Sequence, residues 1–195
     1  MNEIEMIEDY LNNQASCMDD LKKLSENIKM IFQKLISARD NGNSIFIMGN
    51  GGSASTATHF TSDLLKTSII KNEKRFKAHS LSDNIPVILA WANDTEYKNI
   101  FSGQLESFLK KDDIVIGISG SGNSENVISA IEFANTKNAI TVTLTGKDGG
   151  KLAKLSEINL TVPSDDMLTI ETMHLMICHL ITTMIRSGGE PQFSY

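Results

Sequence analysis

Apolar residues near the start of the chain recur at three- and four-residue steps. Between positions 4 and 38 this spacing connects Met6, Ile7, Tyr10, Leu11, Leu21, Leu24, Ile28, Ile31 and Leu35. It places them on one stripe of a helix, so it predicts one long amphipathic helix or two consecutive helices. We assign these helices to residues 1–39, ahead of the main domain. They form either a packing layer alone or an oligomer contact as well.

Short, almost wholly apolar runs begin after the turn signal Asp40-Asn41-Gly42-Asn43. The first run covers residues 44–48, and its lack of alternation is typical of a strand buried on both faces. Similar runs lie at residues 78–81, 114–118, 139–144 and 158–162. Together they predict a sheet of parallel strands.

Helical patterns separate these runs, at residues 54–66, 84–92, 97–109, 124–137, 151–155 and 168–186. Strands that alternate with helices predict an α/β fold, a doubly wound parallel sheet with helices on both faces. A length of 195 residues suits one compact domain, which we assign to residues 40–195.

The overall charge narrows the classes of partner. The formal net charge is −6, and the one loose cluster of lysine and arginine, at residues 71–77, also contains Glu73. Nucleic acid is therefore not expected as a partner, because binding its backbone requires a concentrated positive surface. An acidic protein can still bind one small phosphate through local backbone donors.

Cysteine usage and the hydropathy pattern indicate a compartment. Cys17 and Cys178 are far apart and suit a reducing environment without a disulfide framework. The first nine residues carry four acidic side chains and no signal-like apolar run. We expect a cytoplasmic protein with no membrane-spanning segment and no membrane partner.

A glycine-rich loop follows the first predicted strand and opens a helix. Its sequence, Gly49-Asn50-Gly51-Gly52-Ser53, fits neither the dinucleotide fingerprint nor the Walker loop. Glycines before a helix N-terminus let backbone N–H groups point at an anion. Alone, the loop is equally explained as a tight turn without a ligand.

A second loop strengthens the case for a ligand. Residues 119–124, with the sequence SGSGNS, also follow an apolar strand and open a helix. Ser124 is expected to cap that helix, which leaves hydroxyls that suit a phosphate monoester. Because loops after parallel strands meet over one crevice, we expect a phosphorylated ligand between the two loops.

Three ordered motifs carry a resemblance over nearly the whole chain. GNGGSAS (49–55), ISGSGNS (118–124) and LTGKDGG (144–150) resemble the phosphoheptose isomerases of the SIS (sugar isomerase) family. The resemblance implies a three-layer α/β/α domain, usually a homotetramer with active sites between subunits. It implies conversion of sedoheptulose 7-phosphate to D-glycero-D-manno-heptose 7-phosphate for cell-surface polysaccharide, through an enediol.

The resemblance also assigns substrate-binding residues. It places the phosphate on Ser53, Ser119, Ser121 and Ser124, and the sugar near the pair Asn93 and Asp94. The loop residues Asn50, Gly51, Gly52 and Gly120 complete this predicted binding set, together with Glu171.

Acid/base groups occur on two predicted helices. His59 and Asp63 are four residues apart and share one helix face, although an ordinary solvated pair has the same spacing. Glu171 and His179 are eight residues apart, about 12 Å along a helix and about 80° around it. The resemblance makes His59, Asp63, Glu171 and His179 the ligands of one metal ion, usually zinc, with Asp63 and His179 transferring protons.

Three positions depart from the resembled enzymes. Asp63 stands where they have Glu, Glu171 where they have Gln, and Thr67, beside Lys66, where they have Arg. A base shortened by one methylene moves by about 1 Å, which can cost on the order of a hundredfold in rate. Two alternatives therefore stay open: an isomerase for a different sugar phosphate, and a non-catalytic relative that binds proteins. His174 is expected in the core or at an interface.

Overall fold

The computed structural model describes residues 2–194. Helix α1 (Glu3–Leu21) begins with a capping box in which Asn2 and Glu5 bond reciprocally. A 3-10 turn, Lys22–Leu24, connects it to α2 (Ser25–Asn41). Gly42, at φ 76°, ends α2 in the left-handed conformation that glycine adopts without strain. Of the two alternatives for the leading segment, the chain has two consecutive helices.

The predicted strands form one five-stranded sheet within residues 2–194. All pairings are parallel, in the order β2-β1-β3-β4-β5. The doubly wound α/β fold is therefore confirmed. The strand bounds lie within two residues of the predicted runs: β1 Ser44–Gly49, β2 Lys77–Ser80, β3 Ile114–Ser119, β4 Ile140–Thr145 and β5 Ile158–Thr161.

Helices cover both faces of this sheet and create two apolar cores. One core joins the sheet to α2, α3 (Gly52–Ser62) and α8 (Met167–Arg186). The other joins it to α5 (Ser102–Phe108), α6 (Glu125–Thr136) and α7 (Leu152–Leu155). Helix α4 (Ile85–Asp94) has no fully buried residue, and its partly buried Ile88, Trp91 and Ala92 pack against the second core.

Two predicted helices are interrupted. The helix predicted at 97–109 is a 3-10 turn, Tyr97–Asn99, followed by the short α5, and the two residues between them, Ile100 and Phe101, are buried in the second core. The helix predicted at 54–66 changes at Asp63 into a π-helical turn, Asp63–Thr67. This second interruption bears directly on the candidate site.

Helix α8 is the exception to the expectation that no segment could span a membrane. Its 20 residues are long and apolar enough to do so by length and composition. Half of this stretch is buried inside the protein, including Ile170, Met173 and Ile177, which pack into the first core. Its apolar character is therefore explained by core packing.

Candidate active site

The two glycine-containing loops lie side by side at the carboxyl edge of the sheet. Their strands are neighbours, with Gly49 of β1 paired to Ile118 of β3. The amide side chains of Asn50 and Asn126 connect the loops through two reciprocal hydrogen bonds of 2.9 and 2.8 Å. Tyr97 donates a third bond to Asn50 Oδ1, at 3.0 Å. Asn50 therefore holds the loops together with its side chain.

The first loop opens α3 by backbone geometry. Gly51 occupies the N-cap position at φ 55° and ψ −123°, without a side-chain cap. Its carbonyl accepts the first helical bonds, from Ala54 N and Ser55 N. The earliest N–H groups of a helix have no intrahelical acceptor, so the amides at Gly52 and Ser53 are available to an anion. Ser82, which sequence reasoning missed, fixes the loop by bonding both Gly49 N and Gly49 O.

In the second loop, the Ser124 hydroxyl has a different hydrogen-bond partner from the predicted one. Ser124 occupies the N-cap position of α6, but its hydroxyl makes no capping bond to any residue in 2–194. The expected cap is wrong because Ser124 Oγ lies 2.9 Å from Ser119 Oγ and bonds across the loop. Ser121 Oγ accepts the Asn123 N–H at 3.2 Å. Three hydroxyls thus gather above the end of β3.

The third motif, at residues 144–150, supports the second loop from behind. Gly146 N donates to Gly120 O, and Leu152 N donates to Gly122 O. A Cβ on Gly122 would lie 2.1 Å from Gly149 O, so the backbones meet too closely for a side chain. Glycine at these positions is explained by backbone packing.

An acid/base cluster lies beyond the loops, where α3 meets α8. The Nε2 atoms of His59 and His179 lie 3.1 Å apart, and Asp63 Oδ2 is 3.8 Å from each of them. Both imidazoles are about half exposed, at 48% and 50%, whereas the Asp63 side chain is 11% exposed. The structure thus brings together three of the four predicted metal ligands.

The three donors fit a divalent metal ion. Asp63 Oδ2 is buried without a hydrogen-bond partner among the described residues, an arrangement that costs free energy unless a cation or proton compensates it. All three donor atoms lie within 4.8 Å of one another. Two ligands on one tetrahedral Zn²⁺ are about 3.3 Å apart, close to the separation of the two imidazole nitrogens.

Glu171 is not part of this cluster. Its carboxylate lies against Gly52, where a Cβ would be only 2.2 Å from Glu171 Oε2. Eight residues of α8 separate it from His179, about 12 Å along the axis. Glu171 therefore contacts the start of α3, while His179 contacts the end of α3. Within the described residues the cluster thus contains three of the four predicted ligands, and Glu171 lies beside the first loop.

The predicted sugar-side pair lies on the surface at the end of α4. Asn93 Nδ2 donates to Asp94 Oδ1 at 2.7 Å, and both residues are exposed. An open cavity of about 520 Å³ borders the acid/base cluster and is lined by Ala54, Ser55, Thr58, His59, Ser62 and Ser82. It provides room for a small ligand beside His59.

Two further titratable groups on α8 belong to the core. His174 is fully buried and donates its Nε2–H to Thr145 O at 2.9 Å. Burial lowers its pKa to about 4, although the bond to Thr145 acts in the opposite direction. Burial and the nearby Asp63 charge raise the pKa of the Cys178 thiol. These groups anchor the helix that carries His179.

Comparisons with known proteins identify the family of this chain. A family model described as the SIS domain matches residues 9–146. A phosphoheptose isomerase from Helicobacter pylori (strain P12) is 40% identical over 91% of this chain and 92% of its own length. One from Aliarcobacter butzleri is 37% identical over 92% of this chain and 95% of its own.

Solved structures show the same likeness. A phosphoheptose isomerase from Francisella tularensis superimposes with a TM-score of 0.90 at 29% identity, covering 96% of this chain and all of its own. The enzyme from Neisseria gonorrhoeae gives 0.88 at 28% identity, covering 95% of this chain and all of its own. The chain belongs to the SIS domain family, and within it to the phosphoheptose isomerases.

Proposed function

We propose that this protein is an aldose–ketose isomerase that converts sedoheptulose 7-phosphate to D-glycero-D-manno-heptose 7-phosphate. It would act in the cytoplasm and supply heptose for cell-surface polysaccharide. One observation carries the proposal: helix α3 begins at the first glycine-rich loop and brings His59, near its end, to Asp63 and His179, with an open cavity of about 520 Å³ along the helix between them. Phosphate binding and acid/base chemistry are the two requirements of such an isomerase.

Substrate binding begins at the phosphate. The hydroxyls of Ser53, Ser119, Ser121 and Ser124, with the first amides of α3, would surround the phosphate oxygens. Such donors stabilise a dianion without a cationic cluster. The sugar then extends along the cavity beside His59, with Asn93 and Asp94 toward its hydroxyl groups. Glu171, at the start of α3, would contact the substrate from the opposite side.

Isomerisation moves one proton between adjacent carbons. Asp63 accepts the proton from the hydroxyl-bearing carbon next to the carbonyl, and the C–H electron pair forms the double bond of an enediol. His179 donates a proton to the carbonyl oxygen. In the second half, Asp63 returns its proton to the former carbonyl carbon while His179 recovers one from the neighbouring hydroxyl. Atoms and charge balance without an external reductant.

His59, Asp63 and His179 would hold a divalent ion, which we propose is Zn²⁺. Such an ion, when bound, would polarise a substrate carbonyl and stabilise negative charge on its oxygen, which is the task that the His179 proton performs when no ion is bound. The buried oxygen of Asp63 and the spacing of the two imidazoles support this assignment. We assign Glu171 to the substrate side and not to the ion, because its carboxylate lies at Gly52.

We also propose a homotetramer with active sites between subunits. Two helices present apolar side chains that the described chain does not cover: α1 exposes Ile4, Ile7 and Leu11, and α4 exposes Ile85 and Leu89. Patches of this kind mark protein contacts. Helix α4 also carries Asn93 and Asp94, so a subunit packed on α4 would lie close to the sugar. Sedimentation at micromolar concentration is expected to exclude a 21.5 kDa monomer.

The function is tested by offering the purified protein a panel of C5 to C7 ketose and aldose phosphates, with and without a chelator. Sedoheptulose 7-phosphate is expected to react fastest, and the chelator is expected to stop the reaction. Faster turnover of another sugar would assign a different substrate to the same site, in keeping with Asp63, Glu171 and Thr67. No turnover of any sugar would favour the protein-binding alternative.

A further inference from the structure

The segment that carries Asp63 is a wide, π-helical turn. Asp63 O accepts the N–H of Ser68, five residues later, at 2.8 Å. The Ser68 hydroxyl donates to Leu64 O at 2.9 Å and closes the same turn. Turns of this type are uncommon, occur often at functional sites, and displace the backbone relative to an ordinary helix. The position of the Asp63 carboxylate therefore depends on what holds this turn.

One face of α8 contacts both ends of the turn. At its beginning, His179 Nε2 lies 3.8 Å from Asp63 Oδ2. At its end, Arg186 donates from Nη1 to Thr67 O at 2.7 Å. His179 and Arg186 are seven residues apart, which is about two helical turns, so their side chains leave the same face.

Arg186 also connects the turn to the segment after α8. Its Nη2 donates to Phe193 O at 3.1 Å. The chain that follows the π-helical turn pairs with this same segment, through Gln192 N to Ile69 O and Lys71 N to Glu190 O, both at 2.9 Å. We call residues 189–193 the C-terminal strap. The strap and Arg186 together hold residues 67–71.

Two close contacts define the position of the strap. A Cβ on Gly189 would lie 2.6 Å from Ile70 Cγ2, so only glycine permits this approach. The Lys66 ammonium lies 4.7 Å from the centre of the Phe193 ring, within range of a cation–π contact. Lys66, the cation nearest to the position of the missing arginine, is thus in contact with the strap.

We propose that Arg186 is a positioning residue for Asp63. It fixes the Thr67 carbonyl, and with it the π-helical turn, so that the short aspartate side chain faces His59 and His179. Without the guanidinium, Thr67 O would lose a charge-assisted bond and the turn could relax toward ordinary helical bonding. This inference rests on the proposed role of Asp63 as proton-transfer group and metal ligand. It adds that Arg186, at the end of α8, holds the turn on which that role depends.

The test replaces the guanidinium in the full-length protein. Arg186→Gln is expected to lower kcat by about 10- to 100-fold, as small displacements of a reacting group do, with KM changed less than about twofold because the serine loops are untouched. Zinc affinity, measured by competition with a chromophoric chelator, is expected to fall at least about tenfold. Arg186→Lys, which keeps one charged donor, is expected to recover part of both losses.

A matched control uses Arg39, a buried arginine that bonds Asp40 and Glu73 at the end of α2. Arg39→Gln is expected to lower stability without changing zinc affinity. Hydrogen exchange adds a measurement independent of catalysis, since the Ser68 amide should exchange faster in Arg186→Gln only. If Arg186→Gln does not fold, Gly189→Val displaces the strap through Ile70 and is expected to give the same exchange and zinc results.

The outcomes separate this inference from the proposed function. Unchanged zinc affinity and unchanged Ser68 exchange in Arg186→Gln overturn the positioning role, whatever the activity. A kcat loss equal to that of Arg39→Gln overturns it as well. If the wild-type protein isomerises no sugar phosphate, the proposed function fails, while the exchange and zinc measurements still decide whether Arg186 holds the turn.

Discussion

The two ends of the candidate site are built in different ways. At the phosphate end, each loop is continuous in sequence and follows directly from a buried strand, so pairing of β1 with β3 brings the loops together. At the acid/base end, His59 and His179 come from helices 120 residues apart. The phosphate end is thus fixed by the sheet, and the acid/base end by how α8 packs on α3.

This difference predicts that substrate binding and proton transfer depend on different parts of the chain. Bonds such as the Asn50–Asn126 pair connect the two loops, so the site that we propose for phosphate is already formed in the folded chain. The acid/base cluster has half-exposed imidazoles, and Asp63 Oδ2 has no partner among the described residues. Changes on α8 should therefore reduce turnover, and changes in the loops should reduce affinity.

The largest effect is expected for His179→Ala. Loss of a proton-transfer group costs about 10²- to 10⁴-fold, and loss of a metal ligand adds to it, so kcat should fall by at least about 10³-fold. Binding of inorganic phosphate, measured by calorimetry, should change little. His79→Ala is the matched control, since His79 stacks on Phe46 away from the cluster. Turnover that survives both His179→Ala and Asp63→Asn would remove the acid/base end from the mechanism.

The second prediction concerns the attachment of α8 to the sheet through His174. Its pKa is about 4 in the folded chain, against 6.5 for a histidine in water. The unfolded chain therefore binds a proton that the folded chain excludes, and stability falls as the pH drops from 6.5 toward 4. This contribution is on the order of 3 kcal/mol. Denaturant unfolding between pH 4 and 8 should show a steeper loss for the wild type than for His174→Gln, and equal slopes would contradict it.

At the phosphate end, Ser121→Ala should weaken substrate binding more than it slows the reaction. A hydrogen bond to a charged group contributes about 1.5–3 kcal/mol, equivalent to a roughly 10- to 100-fold rise in KM, with kcat nearly unchanged. Steady-state kinetics measures both quantities. Ser107→Ala, on the exposed side of α5, is the control. A fall in kcat at constant KM would indicate that Ser121 acts in the reaction at the acid/base end and not in phosphate binding.

The smallest effect is expected in the first loop, where substitutions of two adjacent glycines can be compared. Gly51→Ala forces a side chain to adopt φ 55° and ψ −123°, which costs about 1–3 kcal/mol of folding stability. At Gly52 the three atoms nearest to an added methyl group are all at the end of the Glu171 side chain, which has rotatable bonds, so Gly52→Ala should cost less stability and alter kinetics instead. Thermal unfolding of the two variants checks the order, and equal losses would contradict it.

Much of this molecule could be predicted from local patterns. The apolar runs identify all five strands, and each loop is recognisable because its glycines and serines are contiguous. The pairing of His59 with Asp63 also follows from one helical step. These features share one physical cause: each is determined by residues within a few positions of one another in the chain.

Features that depend on tertiary contact were missed or mistaken. Ser124 was expected to cap α6, but Ser119 across the loop takes its hydroxyl. Glu171 was expected at the metal, but the relative displacement of α3 and α8 leaves it at Gly52. Asn126 and Tyr97, which bond Asn50, have no distinguishing local pattern. The spacing of residues along one helix gives the directions of their side chains. It does not give the register of two packed helices.

The amide pair between the loops has a consequence for chemical ageing. Asn50 precedes Gly51, and an asparagine followed by glycine cyclises readily to a succinimide and then hydrolyses to aspartate, which makes asparagine a heat-labile residue. In the folded chain Asn126 and Tyr97 hold the Asn50 side chain and keep it from the rotation that cyclisation requires. The unfolded chain has no such protection, so each unfolding event on heating allows Asn50 to become an acidic residue. That residue would place a carboxylate in the loop that we propose for phosphate.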